Sequence, residues 1–279
     1  MKYKFSEITI NYDSKRVPLS AKQRESRKGQ YPYYGAQGII DYIDDYIFDG
    51  KYLLIAEDGE NLRSKKQKVA QLAVGRYWVN NHAHIVQTNE KCLLEYLYYL
   101  FNVTDISGYI TGSAQPKLSQ ANLNAIEFEL PPVQEQAKVV SILSALDDKI
   151  ELNQKINENL ERQAQAIFEC WFTDGKEANG CLADICQYSK EKVAVSSLDL
   201  ETYYSTENML PGKAGATQAA SLPTTTQTTK CNVGDILVSN IRPYFKKIVY
   251  CHADCGCSTD VLCFAPKKQE LSAYLFFLL

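Results

Sequence analysis

From Val133 to about Phe172 the chain alternates apolar and polar positions with a helical period and contains neither Gly nor Pro. Leu143, Ile150, Asn157, Ala164 and Trp171 recur every seven residues, and Leu146, Asn153, Leu160 and Ile167 form a second series three places on. These are the a and d positions of a coiled-coil seam. Leu130-Pro131-Pro132 precedes the run. Proline fixes φ and lacks an N–H, so it ends what comes before and lets a helix begin just after it. A helix of about forty residues is roughly 60 Å long at ~1.5 Å rise per residue, the length of a spacer or docking rod.

The flanking patterns change period. Before the rod, Gly38–Phe48 reads as strands or a hairpin around Asp44-Asp45, Tyr52–Ala56 as a strand entering a turn, and Val69–Val79 as a pair of strands around Gly75. Ala83–Gln87 and Ala125–Leu130 are strand-like, and Leu93–Phe101 is helical by its length and Leu/Tyr content. After the rod come a polar linker, Asp174–Gly180, and strand candidates at Ile236–Ser239, Ile248–Tyr250 and Val261–Phe264. Ala214–Lys230, rich in Thr, Ser, Ala and Gln, reads as a loop.

The two flanks resemble each other in order. Phe5–Ile8 matches Leu182–Ile185, Tyr52–Ala56 matches Asp235–Ser239, Asn81–Val86 matches Cys257–Leu262, and Leu93–Phe101 matches Leu271–Leu279. The competing explanation is two unrelated β-rich domains of similar composition. The fold class expected is α+β: two β-rich domains separated by a long coiled-coil-forming helix, with boundaries at 1–130, 131–173 and 174–279. The second copy is expected to be incomplete, because nothing like residues 102–172 follows Leu279.

The net charge of −3 argues against a generally basic nucleic-acid binder, but its distribution changes the picture. Residues 1–125 carry +3, residues 126–172 carry −5 and residues 173–279 carry −1. Basic residues cluster at Lys22, Arg24, Arg27 and Lys28, and again at Arg63, Lys65, Lys66 and Lys68, in loop-like stretches. Phosphate neutralisation needs such local patches; solvated loops are the plain alternative. No apolar run reaches the ~18 residues of a membrane span, and Met1–Phe5 lacks the apolar core of a signal peptide. A cytoplasmic protein is therefore expected, with its nine Cys mostly free thiols.

Catalytic motifs are missing. There is no P-loop, no nucleophile elbow, no His-Glu-x-x-His and no Asn/Asp-Pro-Pro-Tyr run for holding a target amine. His82 and His84 alternate about Ala83, which predicts one shared strand face and a structural or DNA-facing role. Cys251, Cys255, Cys257 and Cys263 are spaced too tightly for an ordinary four-ligand zinc site, so no metal is expected.

Thr111–Ser119, then Ile126–Gln136 and the helix through Leu146-Asp147-Asp148-Lys149-Ile150 to Phe168, closely resemble the end of a target-recognition domain and the central helix of the DNA-specificity subunits of type I restriction–modification systems. Gly234–Ser239 with Ile241-Arg242-Pro243 resembles the early part of a second recognition domain. The resemblance covers nearly the whole chain and is most specific over residues 108–172. It implies a subunit that binds double-stranded DNA at a bipartite site, one half per domain, and catalyses nothing. Modification subunits, which bind S-adenosylmethionine, dock on the helices, and a restriction subunit joins them. ATP and Mg²⁺ are likewise expected only in partners, and the chain itself is expected to hold no cofactor. A rod without an intramolecular partner implies self-association through the seam residues Leu143, Leu146, Ile150, Leu160 and Ile167, or docking of a modification subunit there. The alternative is a coiled-coil adaptor whose β-domains bind protein.

For DNA contact the candidates are Arg63, Lys65, Lys66, Arg76, Gln115 and Lys117 in the first domain, and Arg242, Lys246 and Lys247 in the second. Gln115 and Lys117 sit in a Gly/Pro-bounded loop that serves equally well as a turn closing the domain onto the rod. Arg242 precedes proline, which predicts an extended backbone; its alternative is a surface salt bridge.

Overall fold

A computed structural model describes residues 1–173, 175 and 180–279. Most of the polar linker expected at 174–180 lies outside the described residues. The strands are β1 Lys2–Lys4, β2 Thr9–Asn11, β3 Lys28–Gly35, β4 Gly38–Ile43, β5 Phe48–Ala56, β6 Ala70–Val79, β7 Ala83–Thr88 and β8 Glu127–Glu129, then β9 Cys186–Tyr188, β10 Lys192–Ala194, β11 Tyr203–Tyr204, β12 Gln227–Cys231, β13 Ile236–Ser239, β14 Ile248–Tyr250, β15 Cys255–Cys257 and β16 Val261–Pro266. The helices are α1 Phe5–Ile8, α2 Ala21–Glu25, α3 Asn61–Ser64, α4 Leu94–Val103, α5 Gln120–Ala125, α6 Val133–Phe168, α7 Leu182–Ile185 and α8 Ser272–Leu278. The chain forms two compact units, Met1–Leu152 and Asn153–Leu279, whose boundary falls within α6.

In the first unit six strands run in the order β2-β7-β5-β6-β3-β4. Successive side chains of a strand face opposite ways. Leu53 and Ile55 of β5 therefore enter a core with Phe5, Leu97, Phe101 and Phe128, while Leu54 enters a second core with Phe48, Tyr77, Val79 and Ile85. Burial on both faces explains why Tyr52–Ala56 is apolar without interruption. Phe48 lies opposite Tyr77, and Ala56 opposite Ala83. A flat ladder would separate those rungs by about 27 Å, yet the six residues from Tyr77 to Ala83 reach at most ~22 Å. The sheet must curl over its own face. Gly50 and Gly75, opposite one another, take positive φ (134° and 88°) within that curl. Val69–Val79 is thus one bent strand and not the expected pair around Gly75. Nor does a hairpin form at Asp44-Asp45, since β4 pairs with β3 and β5 pairs with β6 and β7.

The long helix begins where expected, at Val133, and runs 36 residues. Glu169–Thr173 then widens into a π turn. Gln136, fully buried, fastens its first turn: its Oε1 accepts from the Leu93 N–H (2.9 Å), the N-cap of α4, and its Nε2 donates to the carbonyls of Lys91 (3.0 Å) and Pro131 (2.9 Å). β1 pairs with β8 just before the helix, and the amino terminus donates to the Leu130 carbonyl.

The second unit repeats the first. Its sheet β9-β16-β13-β14 follows the order β2-β7-β5-β6, each strand antiparallel to its neighbours. α7 leads into β9 as α1 leads into β2, and α8 follows β16 as α4 follows β7. A second four-stranded sheet, β10-β12-β15-β11, completes the unit. Phe168, at the end of α6, packs its ring at a tilt against those of Tyr274 and Phe277 of α8. The registers refine the expected alignment. Leu53 faces Val86, and its counterpart Ile236 faces Phe264, so Val86 corresponds to Phe264 and not to Leu262. A two-residue slip keeps every side chain on its face, which is why the sequence pattern alone did not resist it.

Candidate nucleic-acid interface

The connection from β5 to β6, residues 57–69, forms one rim of the first unit. It is zipped to the chain before α5: Lys117 bridges both Asp58 and Thr111, Gly59 N–H donates to the Pro116 carbonyl, and Leu118 N–H to the Glu57 carbonyl. Arg63 spans the two segments, donating to the carbonyls of Gly112 and Ser113. Gly112 takes φ +85°, and a Cβ there would stand 2.2 Å from the Gln115 carbonyl oxygen, so only glycine lets this turn close. The turn exposes the Gln115 side chain.

Beneath the rim lies a partly buried charge network. Glu57 accepts from Arg16 (2.8 Å) and pairs with Lys117 (3.3 Å). His84 Nδ1 lies 2.6 Å from Asp13, and its Nε2 donates to the Leu118 carbonyl at 2.8 Å. Burial pushes the Asp13 and Glu57 carboxyls up. The hydrogen bond from His84 to Asp13, that from Arg16 to Glu57 and the surrounding positive charges outweigh it, and both carboxyls sit below their ordinary range. The network anchors the 111–118 segment to the sheet from below.

The structure brings Arg63, Lys65, Lys66, Gln115 and Lys117 onto these zipped segments in distinct roles. Arg63 is a brace. Lys65 takes φ +48° and points to Asp105 (3.5 Å). Lys117 is held by Glu57. Lys66 and Gln115 are exposed and make no side-chain hydrogen bond or ion pair among the described residues. Arg76 shares no contact with this group: it pairs with Asp49 (3.0 Å) and lies over the Tyr46 ring. The two histidines do not share a face. His84 is buried, whereas His82 precedes β7 and is exposed, 2.7 Å from Asp58. Exposed Gln37 reaches within 3.6 Å of where a Gly59 Cβ would sit, adding a second amide to the rim. Sequence reading missed Gln37, because nothing local links the β3–β4 turn to residue 59.

In the second unit Arg242, Lys246 and Lys247 occupy residues 240–247, which connect β13 to β14. This is the counterpart of the 57–69 connection, shorter by five residues. Arg242 is not extended as its proline neighbour predicted. It takes φ +51° and ψ 63°, and its carbonyl accepts from Phe245 N–H at 3.0 Å to close a short turn. Proline disfavours the right-handed helical region for the preceding residue, and the left-handed region remains open to it. Arg242 and Lys246 have no ion pair among the described residues, while Lys247 donates to the Thr206 carbonyl. Tyr244, 72% exposed, stands between them. Its basic–aromatic neighbourhood, Arg242-Pro243-Tyr244-Phe245-Lys246-Lys247, was the signal that could have nominated it.

Along α6 the seam residues Leu146, Ile150, Leu160 and Ile167 are exposed and Leu143 is half-buried. In the first unit, Val139, Leu143, Leu146 and Ile150 face Tyr96, Tyr99 and Val103 of α4 across an apolar groove of about 490 Å³. Tyr99 OH donates to Asp147 (3.0 Å) at its edge; burial and this carboxylate push the phenol up to about 12. Among the described residues no group of His, Cys, Asp and Glu is placed to hold a metal ion, and no helix is long and apolar enough to cross a membrane.

Each unit carries the same sheet order with a basic connection at the same place, and the long helix exposes an apolar seam. The chain belongs to the type I restriction modification DNA specificity domain family, whose model matches residues 3–162. A Haemophilus influenzae protein named as a type I restriction enzyme specificity subunit is 36% identical over 140 residues, 50% of this chain and 35% of that protein. The MjaIX specificity subunit of Methanocaldococcus jannaschii is 29% identical over 172 residues, 56% of this chain and 40% of that protein. The matched segments thus span well under half of those relatives. The crystal structure of the type I restriction–modification S subunit from M. genitalium shares the fold, with TM-score 0.63 at 13% identity over 99% of this chain and 75% of that one.

Proposed function

We propose that this chain supplies DNA recognition to a type I restriction–modification complex. The first unit binds double-stranded DNA through residues 57–69 and 111–117, and the second through residues 240–247, each reading one half of a split site. The observation that carries this is the placement of Arg63, Lys65 and Lys66 and of Arg242, Lys246 and Lys247 on the same connection, the one leaving the central strand of each repeat. Lys66, Arg242 and Lys246, without ion pairs among the described residues, neutralise phosphates there, while exposed Gln115 and Gln37 offer amides suited to adenine edges. The functional divisions are residues 1–130, the helix 131–173 and residues 174–279.

The helix serves as spacer, and its seam, Leu143, Leu146, Ile150, Leu160 and Ile167, docks modification subunits or a second copy of the chain. A restriction subunit joins the same complex in the cytoplasm. Methyl transfer and cleavage, with S-adenosylmethionine, ATP and Mg²⁺, belong to those partners, and this chain contributes no catalytic group. The test is selection from a random duplex pool by the chain assembled with a modification subunit. Two separated blocks of fixed sequence are expected, and Arg242→Ala with Lys246→Ala should weaken selection in one block only. Selection without sequence preference would refute the reading.

A further inference from the structure

The second unit gathers five cysteines into one core. Cys231, Cys251, Cys255, Cys257 and Cys263 are each at most 4% exposed and pack with Leu237, Val249 and Val261. The ladders do the gathering. Cys231 lies opposite Cys255 across β12 and β15, and Cys255 and Cys257, two residues apart, share one face of β15. Cys251 arrives from the end of β14, held by its N–H donating to the Asp235 carbonyl and its carbonyl accepting from Gly234 N–H, both at 2.9 Å. Its Sγ lies 3.6 Å from Cys255 Sγ. His252, Ala253 and Asp254 separate the two cysteines, and all three are exposed. The touching sulfurs therefore sit directly under a loop tip that meets solvent.

A solitary buried cysteine behaves as a small apolar residue. Two sulfurs in contact at the base of an exposed loop have chemistry open to them besides packing. The neighbouring Cys231 and Cys251 sulfurs favour the thiolate of Cys255 and outweigh the opposing effect of burial, so its ionisation sits below the ordinary thiol range. The thiolate is the nucleophilic form of cysteine.

We propose that Cys251 and Cys255 form a redox site that hydrogen peroxide converts from dithiol to disulfide. The Cys255 thiolate attacks one peroxide oxygen; the S–O bond forms and the O–O bond breaks. The departing hydroxide takes up the proton that Cys255 released and leaves as water, with a sulfenic acid at Cys255. The Cys251 sulfur then attacks the Cys255 sulfur; the S–S bond forms, the S–O bond breaks, and the hydroxyl leaves as a second water with the Cys251 proton. The two thiols lose two electrons and the peroxide gains them. Reaching a bond of ~2.05 Å requires the sulfurs to close by about 1.5 Å, a movement the short exposed loop accommodates. The bridge fixes one end of β15, an inner strand of the second sheet. This inference stands apart from the DNA-binding reading, since it needs only the geometry of this core.

The test uses the full chain carrying Cys170→Ser and Cys181→Ser, which remove the two exposed thiols. The reduced protein is treated with hydrogen peroxide and digested with trypsin. Cleavage after Lys247 and Lys267 leaves Cys251, Cys255, Cys257 and Cys263 on one peptide and Cys231 on another. The expected product is that single peptide lighter by two hydrogens, with fragmentation placing the bridge between Cys251 and Cys255 and dithiothreitol reversing it. Cys263→Ser should preserve the reaction and Cys255→Ser should abolish it. Cys251→Ala provides a second readout: Cys255 should then stop at the sulfenic acid and accept one dimedone adduct. A peptide joined through Cys231, a bridge to Cys257 or Cys263, no mass loss in the folded protein, or stoichiometric metal in the protein as isolated would each overturn the proposal.

Discussion

Arg63→Ala and Lys66→Ala, three residues apart on the same connection, should weaken DNA binding for different reasons. Lys66 is exposed and unpaired among the described residues. Removing it takes away one phosphate partner and nothing else, so the slope of log K against log [salt] should fall by about 0.9, with stability unchanged. Arg63 instead braces the carbonyls of Gly112 and Ser113. Hydrogen bonds from a charged donor contribute about 1.5–3 kcal/mol in general, and exposure reduces this, so losing two costs roughly 1–2 kcal/mol of stability. Binding should weaken through disorder at Gln115 and Lys117, with little change in salt slope. Fluorescence anisotropy against a labelled duplex from 50 to about 200 mM salt, paired with urea denaturation, separates the cases. If Arg63→Ala lowers the slope as Lys66→Ala does while leaving stability untouched, the brace assignment is wrong. Unchanged binding in both variants would remove this connection from the interface.

Gln136→Ala removes a fully buried side chain and its three hydrogen bonds to part-buried backbone groups, each worth about 0.5–1.5 kcal/mol net; a loss of roughly 2–4 kcal/mol is expected in urea unfolding, and no measurable loss would deny Gln136 its fastening role. Asp13 and Glu57 ionise more readily folded than unfolded, so the stability they add is complete above their unfolded values near pH 4. That stability is lost as pH falls through their depressed folded values. Thermal melts at stepped pH should therefore drop more steeply below about pH 4 than those of an Asp13→Asn, Glu57→Gln variant. Leu146→Asp puts a charge in the exposed seam, and gel filtration should show loss of association with a modification subunit or a second copy; an intact complex would exclude the seam as a docking face.

The helix was legible in sequence because its caps and heptads are local, as were the starts of both repeats. Long-range order was not. Gly75 read as a break between strands because its role depends on Gly50, twenty-five residues away, and on a curl that neither residue announces. The His82–Ala83–His84 alternation implied a common face, but β7 begins only at Ala83, so the period applies to one histidine alone. The basic residues of the two connections could be nominated by charge. Their division into braces and free cations depends on which carbonyl or carboxylate lies nearby, and spacing along the chain carries no record of that.

The curled sheet has a consequence for how such a chain changes over generations. Its folding depends on residues that line the two cores, among them Phe48, Leu53, Leu54 and Tyr77, whereas the exposed tips at Lys66 and Gln115 contribute little to either. On the proposed reading, in which these tips meet DNA, mutations there are screened for what they recognise and scarcely for whether the chain folds. A lineage can explore new targets there without first accumulating compensating repairs, so long as the glycine hinge opposite Gly50 and the brace from Arg63 stay in place.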